Sequence, residues 1–132
     1  FSCIDFRNSY HQVRVAEEAK PFLCINTLWG MYTWNVMPYG PKNAPATFQK
    51  AMVDIFGHLD FVKIYLDDII IASKDMESHI QHVQQVLQLV EKYNLKLRLS
   101  KCKWGVNELV YLGVCINADG IKSDSKYIAI SE

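Results

Sequence analysis

Two aspartates stand side by side at positions 67 and 68, with Ile64-Tyr65-Leu66 before them and Ile69-Ile70-Ile71 after. Flanks that apolar belong in a core. Adjacent carboxylates there lose hydration and repel each other, which raises their pKa and costs free energy. A divalent cation removes both problems. The plain alternative is a hairpin turn, since Asp tolerates turns. Favoured two-residue turns, however, place Gly or Asn where φ must be positive, and Asp-Asp is a poor choice there. A third acid, Asp5, interrupts the apolar stretch from Phe1 to Phe6. Alone it reads more simply as a strand-end residue or a helix cap. A strand beside the hairpin would instead bring Asp5 level with Asp67. Three converging carboxylates make a hard-cation site suited to Mg²⁺, which takes oxygen ligands and keeps waters that phosphates can displace. Two such ions would stabilise the attacking and leaving oxygens of an in-line phosphoryl transfer.

The elements around these acids must position them. Residues 1–6 read as a strand and the alternation in 10–15 as another. Residues 22–35 are aromatic and β-branched, broken by Trp29-Gly30, which fits a hairpin. Pro38, Gly40 and Pro41 punctuate the chain. A helix follows, with Asn43 as cap, Pro45 in its first turn, Ala44, Phe48, Ala51, Met52 and Ile55 on one face, and Gly57 as stop. Residues 61–73 read as two apolar strands flanking Asp67-Asp68. A second helix is expected over 76–93, capped by Asp75, ended by Asn94, with Ile80, Val83, Leu87 and Val90 as its apolar stripe. Residues 95–104 and 109–116 read as short strands, followed by a turn at 117–120. Strands interleaved with two helices predict an α+β layer, with both helices packed on one face of an antiparallel sheet.

The chain has 132 residues, enough for one domain and one core. Half are hydrophobic and 21% charged, a mixture typical of globular chains. No apolar run approaches a membrane span, and Phe1-Ser2-Cys3-Ile4 has neither the charged start nor the cleavage pattern of a secretory signal. With no initiator Met and a start inside a strand, the sequence reads as a piece of a longer protein. Fourteen basic and fourteen acidic side chains leave no net charge, which weighs mildly against nucleic acid as a partner. Cys3, Cys24, Cys102 and Cys115 show no metal-binding spacing and read as free buried thiols of a reducing compartment. His79 and His82, three apart, share a helix face, yet Gln81, Gln84 and Gln85 point to a solvated surface rather than zinc. Trp29, Trp34 and Trp104 are expected in the core rather than stacked on bases, and Met31, Met37 and Met52 are expected as core fillers. Lys96, Arg98, Lys101 and Lys103 form a local basic cluster, suited either to phosphates or to a solvated strand face.

In order along the chain, several stretches carry a family pattern. Tyr65-Leu66-Asp67-Asp68 resembles the Tyr-x-Asp-Asp box of reverse transcriptases. Ile4-Asp5-Phe6 with Tyr10-His11-Gln12 resembles the first catalytic motif, and Met37-Pro38-Tyr39-Gly40 with Asn43-Ala44-Pro45-Ala46-Thr47-Phe48-Gln49 the second. Leu97 to Lys103 resembles the fourth and Tyr111-Leu112-Gly113 the fifth, followed by Ala118-Asp119-Gly120-Ile121. The whole chain is similar to the reverse transcriptases of gypsy-type long-terminal-repeat retrotransposons and retrovirus-like Pol polyproteins. It departs from their usual pattern at Ser9 (commonly Gly), at Phe22 (commonly Lys) and at Pro41-Lys42 (commonly Leu-Thr).

The resemblance implies a polymerase palm over residues 1–132, with part of the fingers at approximately 10–42 and without thumb, RNase H or integrase. Asp5 and Asp67 would bridge two Mg²⁺ ions, replaceable by Mn²⁺, with Asp68 in support. Tyr10 would lie beneath the incoming sugar and reject a 2′-hydroxyl, with Tyr39, Phe6 and Tyr65 completing the substrate-binding set. Lys101 would protonate the pyrophosphate leaving group, and Tyr111, Leu112 and Gly113 would grip the primer end. The implied partners are an RNA or DNA template with its primer, deoxynucleoside triphosphates and the rest of Pol, with no membrane. The implied location is cytoplasmic, in a virus-like particle. Alone, the segment is expected neither to hold a duplex nor to extend a primer well. A decayed or domesticated palm serving as an inert interaction module is the alternative, and a two-metal nuclease is a further rival.

Overall fold

A computed structural model describes residues 1–123. At its centre is an antiparallel sheet of three strands in the order β1-β5-β4: β1 (Ser2–Asp5), β4 (Val62–Tyr65) and β5 (Asp68–Ile71). The central strand is the most apolar, and Ile69, Ile70 and Ile71 are all buried. Alternation assigns the faces. Ile4 pairs with Ile69, and Ser2 and Val62 pair with Ile71, so these side chains share one face. That face meets α1 (Ala44–Phe56) through Phe48, Met52 and Phe56, and α2 (Met76–Lys92) through Val86 and Val90, in a single core. Asp5 pairs with Asp68, and Asp68 with Tyr65, on the opposite face.

Two small sheets flank this unit. β2 (Cys24–Thr27) and β3 (Gly30–Thr33) form the expected hairpin, exposed along both strands. β6 (Leu109–Tyr111), β7 (Val114–Asn117) and β8 (Gly120–Ser123) form an antiparallel meander. Its first turn is Leu112-Gly113, both residues at positive φ (51° and 78°). Two positive φ values are what a tight right-twisted hairpin demands.

Several expectations are corrected. Residues 10–15 are not a strand. A 3₁₀ turn, Ser9–Gln12, starts from left-handed Asn8, and only Arg14 bridges across to Val36. The Gln12 side chain explains why: it donates to the carbonyls of Arg7 and Lys96 and accepts from the Lys96 amide, using a side chain where a strand would use its backbone. A second 3₁₀ segment, Glu17–Phe22, was not foreseen. Residues 95–104 give isolated bridges, Phe6 to Leu97 and Cys3 to Lys103, around a turn in which Lys101 N–H donates to the Arg98 carbonyl. Helix α1 has the foreseen bounds, but Asn43 makes no side-chain cap. Asp75 does cap α2, accepting from Ser78 N–H at 2.8 Å, and left-handed Asn94 follows its end.

The inward face of α2 is rotated from the expected stripe. His79, Val86 and Val90 are buried, whereas Ile80 is 54% exposed. His79 can face inward because its ring is fully partnered. Its Nε2 lies 2.6 Å from Ser2 Oγ and its Nδ1 2.9 Å from Ser73 Oγ, which is also 2.7 Å from His82 Nδ1. Gly105 N–H donates to Ser2 Oγ. One assignment satisfies every group with both rings neutral: Ser2 donates to His79 Nε2, His79 Nδ1–H donates to Ser73, and Ser73 donates to His82. His82 also stacks on Phe61, centroids 3.8 Å apart. These histidines are therefore a structural network rather than a solvated face. Met37 and Met52 fill the core, while Met31 and Trp29 are exposed, because the β2–β3 hairpin carries them away from it. Cys24 is exposed and the other three cysteines are half-buried rather than buried; no disulfide forms among them.

Candidate active site

The acids gather where β1 ends and the β4–β5 hairpin turns. The turn residues are Leu66 and Asp67, not Asp67 and Asp68, and Leu66 takes the left-handed conformation at φ 50°. A branched, bulky residue rarely adopts it. Gln49 on α1 holds it there: its Oε1 accepts the Leu66 N–H at 2.6 Å, and its Nε2 donates to the Ile64 carbonyl at 3.2 Å. One amide thus ties the end of β4 and the first turn residue to the helix. In the sequence Gln49 stands out only as the end of the second motif, with no role attached, because its partners are backbone groups that no residue type advertises.

Asp68 opens β5 and stands directly opposite Asp5, not level with Asp67 as the sequence suggested for Asp5. Burial, then the charges of Asp67 and Asp5, push the Asp68 carboxyl above its ordinary value. Asp5 Oδ1 is sealed from solvent and accepts no hydrogen bond, an expensive condition for a carboxylate oxygen. The nearest cation is Arg98, whose Nε lies 3.7 Å away, an ion pair beyond hydrogen-bonding distance. Among the described residues no group of three or more His, Cys, Asp or Glu side chains is placed to hold a metal ion by itself, so Asp5, Asp67 and Asp68 do not close on one point as they stand. Mg²⁺ is usually held by one or two carboxylates, with waters and substrate phosphates completing its shell. A facing carboxylate pair with a third acid alongside, one oxygen lacking any partner, fits such a half-built site.

Tyr10 packs on Tyr39 with centroids 4.9 Å apart and on Phe48 at 5.5 Å. Burial, then the nearby Asp67 carboxylate, raise its phenol, so the Tyr10–Tyr39 pair borders the acids. Phe6 is buried against Phe48 and Phe56, beneath the site rather than in it. Tyr65 is half-exposed, on the same face as Asp68. Tyr111 is raised by burial, then by Asp68, so β6 also lies near the carboxylates. Leu112 and Gly113 form the next turn, Leu112 outward. Lys101 is exposed in the 98–102 turn, and it is Arg98 of the basic cluster that reaches an acid.

The family model described as reverse transcriptase (RNA-dependent DNA polymerase) matches residues 1–116. The chain belongs to the reverse transcriptase family. It is 38% identical over its full length to the retrovirus-related Pol polyprotein from transposon opus of Drosophila melanogaster, of which it covers 14%. It is 39% identical over 92% of its length to that from transposon 297 of the same organism, covering 12% of it, and 31% identical over its full length to that from transposon gypsy, covering 13%. The chain therefore spans only a small part of these polyproteins. Its fold matches that of a foamy viral protease-reverse transcriptase in complex with RNA/DNA hybrid, with a TM-score of 0.87 at 21% identity, over 98% of this chain and 18% of that one. The α+β palm expected from the sequence is thus the fold observed. Among the described residues no helix is long and apolar enough to cross a membrane.

Proposed function

We propose that the chain is the palm, with part of the fingers at about 10–42, of an RNA-directed DNA polymerase within a retrotransposon Pol polyprotein. We further propose that Asp5, Asp67 and Asp68 hold two Mg²⁺ ions for nucleotide addition. The observation that carries this reading is the Asp5–Asp68 pair, facing across neighbouring strands beside a third acid in a turn pinned by Gln49. When bound, Mg²⁺ supplies charge neutralisation at the phosphoryl oxygens. The protein's part is positioning. β1 and β5 set the spacing of two carboxylates, and Gln49 fixes the third by holding the turn. The Tyr10–Tyr39 wall is where a deoxynucleotide sugar would rest, with Tyr65 alongside and Phe6 supporting from below. Lys101, with its exposed side chain, is the candidate proton donor to pyrophosphate, and Tyr111-Leu112-Gly113 the candidate primer contact. Template, primer and deoxynucleoside triphosphates are the substrates this arrangement suits, and a cytoplasmic virus-like particle is the location proposed for the parent protein.

The experiment is Mn²⁺ binding followed by electron paramagnetic resonance. The chain should bind Mn²⁺, and Asp5→Asn or Asp68→Asn should weaken binding by about tenfold or more. Equal binding by all three proteins would contradict the reading.

A further inference from the structure

We propose that Arg98 is a displaceable counter-ion: its guanidinium stands beside Asp5 in place of a divalent cation and must swing aside for one to bind. The inference rests on the carboxylate cluster being the metal site.

The backbone of Arg98 is fixed next to Asp5. Its N–H donates to the Asp5 carbonyl at 2.9 Å, and its own carbonyl accepts from Lys101 N–H at 2.9 Å. Cys102, closing the same turn, accepts from Asp5 N–H through Sγ at 3.4 Å. The side chain is held less firmly. It is 39% exposed and meets Asp5 Oδ1 only through Nε at 3.7 Å, too far for a hydrogen bond. So the main chain keeps the cation at the acid while the guanidinium stays free to leave.

The oxygen it faces is the unpartnered one. Asp5 Oδ1 is closed to water and has no donor. Among the described residues Arg98 is the only side chain in ion-pair contact with any of the three acids. A single positive charge at that distance only partly offsets Asp5, Asp67 and Asp68. A divalent ion seeking Asp5 Oδ1 meets a like charge already there and must displace it. The prediction has an unusual sign: deleting a charged residue beside the site should improve the site's affinity, whereas damage to the fold would lower it.

The test is Mn²⁺ titration of the 132-residue chain, read by electron paramagnetic resonance, for wild type, Arg98→Gln, Arg98→Lys and Asp5→Asn. Arg98→Gln should bind Mn²⁺ about tenfold more tightly than wild type. Arg98→Lys, which keeps the charge, should stay within about twofold of wild type by the same Coulomb argument. If Arg98→Gln does not fold, Arg98→Met, which keeps the stem, carries the same expectation. Wild-type binding with an unchanged or weakened Arg98→Gln overturns the Arg98 role and leaves the metal site standing. Tightening by Arg98→Lys equal to that by Arg98→Gln overturns it too. Failure of wild type and Arg98→Gln alike to bind Mn²⁺ overturns both, and Asp5→Asn shows whether any observed binding is at this cluster.

Discussion

Gln49 and Leu66 meet at 2.6 Å, the helix side chain accepting the amide proton of the left-handed residue in the carboxylate turn. The pair puts helix α1 in control of the carboxylate turn. Replacing Gln49 with Leu strands the Leu66 amide and the Ile64 carbonyl in a half-buried place. The expected loss is about 1–3 kcal/mol of stability, read as a lower urea midpoint. Because the turn carries Asp67, Mn²⁺ affinity should fall as well. A Gln49→Leu protein with wild-type stability and metal binding would remove Gln49 from the mechanism.

The Leu112 turn offers the opposite case. Leu112 holds φ 51° with its side chain 57% exposed, so its strain is offset by little burial. Leu112→Gly should therefore stabilise the chain by about 0.5–1 kcal/mol. Chemical denaturation measures this directly, and a destabilised variant would mean that the leucine makes contacts that outweigh its backbone.

Acid should weaken the fold through His79. Burial first, then the N-terminal amine and His82, lower its pKa below 6.5. Ser73 on the β5–α2 link contacts both rings, Asp75 caps the helix on the same side, and Ser2 on β1 brings no charge. A histidine depressed in the folded state is protonated more readily in the unfolded chain. Its contribution is whole above pH 6.5 and is lost as pH falls through the folded value. Protonation also forces Ser2, already accepting from Gly105, to turn its own proton elsewhere. Melting temperature should decline below that pH, and His79→Gln should flatten the decline; a slope that survives the substitution would assign it to other groups.

Asp68 should cost stability when no cation is present. Its carboxyl is raised by burial and by two neighbouring acids, so the ionised form is disfavoured in the fold at neutral pH. Asp68→Asn is expected to melt higher than wild type in a chelating buffer. Adding Mn²⁺ should reverse the order: at a hundredfold excess over Kd the wild type gains about 2.7 kcal/mol, and the variant gains far less. Thermal melts in the two buffers check this, and an Asn variant less stable under both conditions would refute it.

The acids were legible because their chemistry is conspicuous: carboxylates embedded in Ile-rich strands conflict with their setting unless something positive joins them. The sheet and both helices were legible from periodicity. What escaped depends on partners distant in sequence. His79 was read with its glutamine neighbours, yet what makes it a buried residue is Ser2, 77 positions earlier. Gln12 made an alternating segment fold as a turn by supplying its amide to Lys96. Arg98 was one member of a basic run until the turn at 98–102 set it against Asp5. Trp29 and Met31 look like core residues by type, and only the placement of their hairpin shows otherwise.

That hairpin governs how the purified chain behaves in a test tube. Leu28 and Trp29, 95% and 83% exposed at the tip of β2–β3, with Phe22 at its base, present a greasy finger with open strand edges. An exposed apolar tip with unpaired edges is a place where copies of the chain can stick to one another. A polar tip is the natural first step toward concentrated samples, and Asp5, Asp67 and Asp68 can be left untouched in making them.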